Sequence, residues 1–361
     1  MTYLARRAVL GAALALLSGA HARALTGVDA LDTPSIPVKT PSRVLLVAIT
    51  QAGARLVAAG EHGVIIYSDD NGASWTQASV PVNVTLTCLG FATPMVGWAA
   101  GHFGAILRTQ DGGASWEMQL NGIQANQLTL AAAQDPNLAN NPSPAAPMAA
   151  HRAAHFLNDG PDKPFLTMLV FSAEKMIAFG AYRLAMITVD GGKSWADWSL
   201  HIYDQYSHNI YDSLAVGNSL YLVGEEGLVF CSADGGNTFQ PSTPTQDVTL
   251  FGILAARSGA LITFGVAGAA FISTDQAKTW NPITLASQDD ITAGRVLKSG
   301  MILLASEAGA VFRSTDNGAT FNAVPGITPM PIFDIQESPD GDLIIAGAGG
   351  VTVLPQAIVN A

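Results

Sequence analysis

TQDGGASW, residues 109–116, is the phrase that decides the fold, because the chain repeats it. SDDNGASW begins at Ser68, TVDGGKSW at Thr188, SADGGNTF at Ser232, STDQAKTW at Ser273 and STDNGATF at Ser314. All six read Ser/Thr-x-Asp-x-Gly/Ala-x-Ser/Thr-Trp/Phe, and their starts lie 41, 79, 44, 41 and 41 residues apart. A near-constant period of this length marks stacked supersecondary units, and the 79 places an insertion between the second and third copies. The phrase has a chemical logic. The carboxylates of Asp70, Asp111, Asp190, Asp234, Asp275 and Asp316 can accept backbone N–H groups within a turn. Glycine two positions on permits positive φ, and the closing Trp or Phe is sized to plug the gap between neighbouring units. These six Asp-box carboxylates are therefore structural. Ala277 replaces the glycine in one copy, which should strain that turn.

A second marker, G-x-x-G, begins eight residues before a box, at 60–63, 101–104, 224–227 and 265–268. The third repeat keeps Gly180 but has Arg183 in the second glycine's place, and the sixth has Ser306 followed by Gly309. A seventh copy at 347–350 meets Pro355 where its box would begin. Apolar runs flank every marker, so each repeat reads as about four short strands joined by glycine turns. The expected fold is all-β: a seven-bladed β-propeller built on Asp-box repeats. The last repeat supplies three strands, and residues 32–38, whose SIPV echoes SVPV at 79–82, are expected to pair with it and close the ring. Residues 123–164, rich in Ala, Asn and Pro, form a partly helical insertion between blades two and three.

Composition agrees with a buried core, since 49% of the 361 residues are hydrophobic and 12% are charged. The formal charge of −11 disfavours nucleic acid and anionic membrane surfaces as partners. Residues 1–24 read as a secretory signal. Arg6 and Arg7 precede an apolar stretch too short to span a bilayer, and Ala22 and Ala24 suit a cleavage site that leaves Leu25 first. The expectation is a soluble, exported, periplasmic protein, monomeric, with no direct membrane insertion. Cys88 and Cys231 are too few for a disulfide framework and read as free thiols.

The boxes, the period and the leader together resemble the photosystem II stability/assembly factor family, a group of seven-bladed Asp-box propellers, over about residues 30–358. That resemblance implies a non-catalytic scaffold that binds a protein client, an accessory factor for a membrane complex, with no cofactor. Members of the photosynthetic branch assist reaction-centre assembly. Sialidases and other glycan-active propellers share the box, so a glycan-binding or sialidase-like hydrolase is the alternative. Such a hydrolase needs three arginines on a carboxylate and a Tyr–Glu pair with an Asp acid. Here Arg43, Arg55, Arg108, Arg183, Arg257, Arg295 and Arg313 occupy mixed repeat positions, without an evident triad.

The G-x-x-G loops should share a face with the blade-to-blade connections. Their tips carry Glu61, His62, His102, Phe103, Tyr182, Arg183, Glu225, Glu226 and Glu307, which are candidate partner-binding residues. The insertion is expected on that face as a cap over the funnel, with Arg152, Phe156 and Leu157 of one short helix as further contacts. His151 and His155 have the i, i+4 spacing of a zinc helix. Arg152 stands where a zinc protease has its Glu, and no third ligand is evident, so no metal site is assigned.

Overall fold

A computed structural model describes residues 28–138, 143–242, 244, 246–327 and 330–360. The leader at residues 1–24 lies outside the described residues. Seven antiparallel sheets follow one another along the chain, six of four strands and one of three. Innermost strands are Leu46–Ala52, Leu86–Phe91, Phe165–Val170, Ile210–Val216, Leu250–Ala255, Ile291–Val296 and Ile332–Glu337. The strands behind them alternate so that the second of each blade is wholly or almost wholly buried, as with Met176–Gly180 and Leu261–Gly265. The outermost strands are two residues long in five blades, for example Thr76–Gln77, and expose little edge.

The boxes behave as their chemistry requires. In blade two, Asp111 Oδ1 accepts the Ser115 N–H at 2.9 Å and the Thr109 hydroxyl at 2.8 Å, while Oδ2 accepts the Ser115 hydroxyl at 2.6 Å. Equivalent bonds form at Asp70, Asp190, Asp234, Asp275 and Asp316. The aromatic residue then packs onto the preceding blade. Trp116 joins Val57 and Ala59 of blade one, and Trp195 meets Trp98 of blade two edge-on at 5.9 Å. Gln276 and Ala277 both sit at positive φ (63° and 65°), so the turn is kept without its glycine.

Ring closure departs from expectation. Residues 32–38 add no strand to blade seven, which keeps three strands. They run instead beside blade one: Ser35 N–H donates to Val80 O at 3.0 Å and Val38 N–H to Gln77 Oε1 at 2.8 Å. Pro34 and Pro37 lack N–H groups, so this segment cannot make a regular ladder. Closure comes from side chains between the first and last blades. Leu46, Ile49, Leu56, Ile66, Ile344 and Ala346 form one buried cluster, with Trp75 and Val351 against it.

The insertion contains two helices, Gly122–Ala133 and Ala149–Asp159. Asn121 and Gln124 form a reciprocal capping box that starts the first. Asn126 Nδ2 donates to Phe156 O at 2.8 Å and Gly160 O at 3.0 Å, knitting the two together. Ala125 and Phe156 are buried in a cluster with Trp98, Phe165 and Met176. The insertion therefore adds core to blades two and three.

Candidate functional site

Each innermost strand carries a register shift near its start. The skipped residues are Val47, Thr87, Leu166, Tyr211, Phe251, Thr292 and Phe333, and all seven line one central cavity of about 210 Å³. The bulges thus turn one residue per blade toward the axis. Asp212 and Asp334 line the same cavity. Asp212 accepts the N–H groups of Ser213 at 2.8 Å and Ile253 at 3.0 Å; Asp334 accepts those of Ile335 at 2.8 Å and Ile49 at 2.9 Å. These carboxylates bridge adjacent blades, each oxygen accepting a backbone N–H. None of the seven arginines named above lines this cavity.

The G-x-x-G loops lie on one face, and every one ties back to its own innermost strand. Glu61 N–H donates to Leu45 O, His102 N–H to Thr85 O and Glu225 N–H to Asn209 O. The residue after the first tip position is left-handed at His62, Phe103, Tyr182 and Glu226, with φ between 52° and 55°. Two acids turn out to be turn braces: Glu61 Oε1 accepts the Leu45 N–H at 3.4 Å, and Glu225 Oε2 accepts that of Asn209 at 2.9 Å. Burial pushes Glu307 above its usual value, helped by Asp290 and Asp289, and burial alone holds the His102 imidazole toward its neutral form. His62, Tyr182 and Glu226 are exposed, and Glu226 Oε2 lies 3.2 Å from His208 Nε2. Phe103 is half-buried against the blade-one core. The tips do not converge. Among the described residues no three His, Cys, Asp or Glu side chains gather as metal ligands; the exposed His151 and His155 stack edge-on and border a cavity beside Arg152.

Two expectations about the insertion need correction. None of its described residues lines the central cavity, so they do not cap it. It lies over blade three, where Thr129 Oγ1 and Arg152 Nη2 both donate to Asp197 Oδ2, at 2.8 Å and 2.7 Å. Tight packing sets this path: a Cβ on Gly104 would lie 2.5 Å from Gly122 Cα, so the chain leaves blade two hard against the blade-two loop. Arg152 and Phe156 are buried, and only Leu157, 46% exposed, is free for contact. Arg183 is buried as well, at 1% exposure.

Arg183 nonetheless organises a second cavity, of about 310 Å³, between the helix Ala149–Asp159, the blade-three loop and residues 205–207. Its walls include Arg152, Phe156, Lys163, Tyr182 and Tyr206. Tyr182, Tyr203 and Tyr206 are 54%, 43% and 71% exposed, so blade three presents three open tyrosines here. Residues 203–207 carry no repeat signal. The readable clue was Arg183 itself, where the other repeats have glycine.

The chain is a seven-bladed β-propeller. It matches no protein-family model and no curated protein sequence. Among solved structures it is similar to YCF48 bound to D1 peptide, at 17% identity and TM-score 0.63, covering 88% of this chain and 95% of that one. YCF48 from Cyanidioschyzon merolae matches at 13% identity and TM-score 0.64, covering 89% and 98%. The GH74 enzyme of Niastella koreensis matches at 13% identity and TM-score 0.59, over 86% of this chain and 52% of that enzyme. At these identities the likeness concerns the fold.

Proposed function

We propose that this chain is an exported, non-catalytic propeller scaffold that binds a protein client, acting as an accessory or assembly factor for a membrane complex. One observation carries the reading: the open tyrosines Tyr182, Tyr203 and Tyr206 on the loop face of blade three. Tyrosine supplies large contact area at low conformational-entropy cost and is enriched at binding hot spots. The YCF48 structure that shares this fold holds a peptide, which supports the same use of the scaffold here. The GH74 likeness supports a glycan-cleaving alternative less well. The acids of the central cavity, Asp212 and Asp334, brace neighbouring blades through backbone N–H groups, and the box carboxylates are held by their turns.

The test is photo-crosslinking from position 203 in the organism's own envelope. A single predominant adduct with one subunit of a membrane complex is expected. No adduct at 203, with none from an equivalent exposed position on another blade, would overturn the scaffold reading.

A further inference from the structure

Arg183 combines three unfavourable features at one residue. Its φ is 59°, at the turn position held by Gly63, Gly104, Gly227, Gly268, Gly309 and Gly350 in the other six blades. A branched or long side chain is strained in this left-handed region, where glycine is not. The guanidinium is also taken out of water, at 1% exposure. Thirdly, only Nη1 finds an acceptor, the Asp204 carbonyl at 2.8 Å, while Nε and Nη2 have none among the described residues. The Asp204 carboxylate is turned to the N–H groups of Tyr206 and His208, so Arg183 has no carboxylate partner of its own.

Arg152 repeats the last feature beside it. At 6% exposure it donates through Nη2 to Asp197, and its Nε and Nη1 find no acceptor among the described residues. Burial first, and then the Arg152 charge, pull the Arg183 pKa down to about 10. Two mutually repelling guanidinium groups with spare donors therefore line one cavity. Native proteins rarely leave buried donors unpaired, and backbone strain that persists beside them points to a function. Ser207, in the same wall, is also left-handed, with φ 54°.

The rest of the wall limits what fits. Lys163 is paired with Asp159 at 3.1 Å and with Asp162, and Arg152 with Asp197 at 2.7 Å, so the spare positive charge belongs to Arg183, with Arg152 adding spare donors. Phe156, Tyr182 and Tyr206 add aromatic surface, with Lys163 Nζ over the rings of Phe156 and Tyr182. The volume of about 310 Å³ is roughly twice that of an apolar cavity of about 150 Å³ able to hold benzene. We propose that this cavity binds a small organic carboxylate, its head accepting the unpartnered N–H groups of Arg152 and Arg183 and its apolar body resting on the aromatic wall. Planar carboxylates suit guanidinium forks, and the ligand supplies the acceptors that the fold omits. The cavity shares Tyr182 and Tyr206 with the proposed client surface, but the inference rests on the two arginines and not on client binding.

Phenylacetate, its neutral isostere phenylacetamide and inorganic phosphate serve as probes in calorimetric titrations of the protein. Phenylacetate is expected to saturate one site per chain, with phenylacetamide weaker by about tenfold or more for the lost charge-assisted bonds. Arg183→Gly gives blade three the residue of the other six turns; it should fold and lose phenylacetate binding. Absence of saturation by about 10 mM phenylacetate, the millimolar edge of specific affinity, would overturn the proposal. So would equal affinity for the amide, tighter binding of inorganic phosphate, or unchanged affinity in folded Arg183→Gly. Should that variant fail to fold, the comparison of acid and amide on the unaltered protein decides.

Discussion

The Asp334 carboxylate in blade seven accepts the backbone N–H of Ile49 in blade one at 2.9 Å, joining residues 285 positions apart in the chain. It also accepts the N–H of Ile335 at 2.8 Å on its other oxygen. Asp212 does the same between blades four and five, toward Ile253 and Ser213. An asparagine offers one oxygen where aspartate offers two, so Asp334→Asn leaves one buried N–H facing an NH₂ group. A loss of about 1–3 kcal/mol follows, the scale for an unsatisfied buried donor. Urea unfolding measures it. Asp69→Asn, which breaks only the exposed pair with Arg55, should cost about 1 kcal/mol or less. Equal losses in the two variants would mean that Asp334 is not a closing element.

Stability should fall between about pH 4 and pH 2. Hydroxyl donors Ser74, Ser194, Thr279 and Thr320 hold Asp70, Asp190, Asp275 and Asp316 at about 2, and the Thr238 N–H does most for Asp234, also at about 2. Burial opposes the shift at Asp111, yet its turn bonds still lower it. Unfolded aspartates titrate near 3.9, so below about pH 4 the unfolded chain binds protons that the folded boxes refuse. The stabilisation is present above that value and disappears as the pH drops through about 2. His102, held neutral by burial, adds a shallower slope of the same sign below about pH 6.5. Denaturant midpoints at successive pH values check this. A midpoint that does not change from pH 4 to pH 2 would contradict the box assignments.

Ala277→Gly should stabilise the protein. Ala277 has φ 65° in the fifth box, and the other five boxes have glycine there. Relieving left-handed strain outweighs the added freedom of the unfolded glycine, for a net gain of about 0.5–1 kcal/mol. Calorimetry should show a higher Tm. A lower one would mean that the buried methyl group matters more than the backbone.

What was legible in the sequence was whatever repeats. Six copies of Asp, Gly and an aromatic at fixed offsets specify a turn, a backbone sign and an inter-blade contact, and together they define the ring. Residues 35–38 echo residues 79–82 in three of four positions, which points to a closing strand that does not form. Pro34 and Pro37 forbid a ladder whatever the echo suggests. The axial bulges left no mark either, since the skipped residues range from Val47 to Thr292 and Tyr211. Burial of Arg152 and Phe156 depends on Asp197 and Phe165, which the sequence does not associate with the insertion. Arg183 is the visible anomaly, but the blades that carry glycine there offer no side chain to show where an arginine would go.

Phe156 and Leu157, adjacent on the helix Ala149–Asp159, should separate the insertion's two roles. Phe156 is 2% exposed and packs with Trp98, Phe165 and Met176, so Phe156→Ala opens a cavity at the junction of blades two and three. A loss of about 3–5 kcal/mol is the usual result of truncating a buried phenylalanine. The same contacts mean that replacing residues 124–163 with a short linker should destabilise the propeller. Leu157, 46% exposed, makes no such core. Leu157→Ala should leave stability within about 0.5 kcal/mol, as surface changes usually do. If the insertion helps to hold the client, Leu157→Ala should nonetheless reduce recovery of the partner crosslinked from position 203. Thermal unfolding and partner recovery, measured on both variants, give the answer. Unchanged recovery with Leu157→Ala would confine the insertion to packing and leave client binding to the blade-three tyrosines.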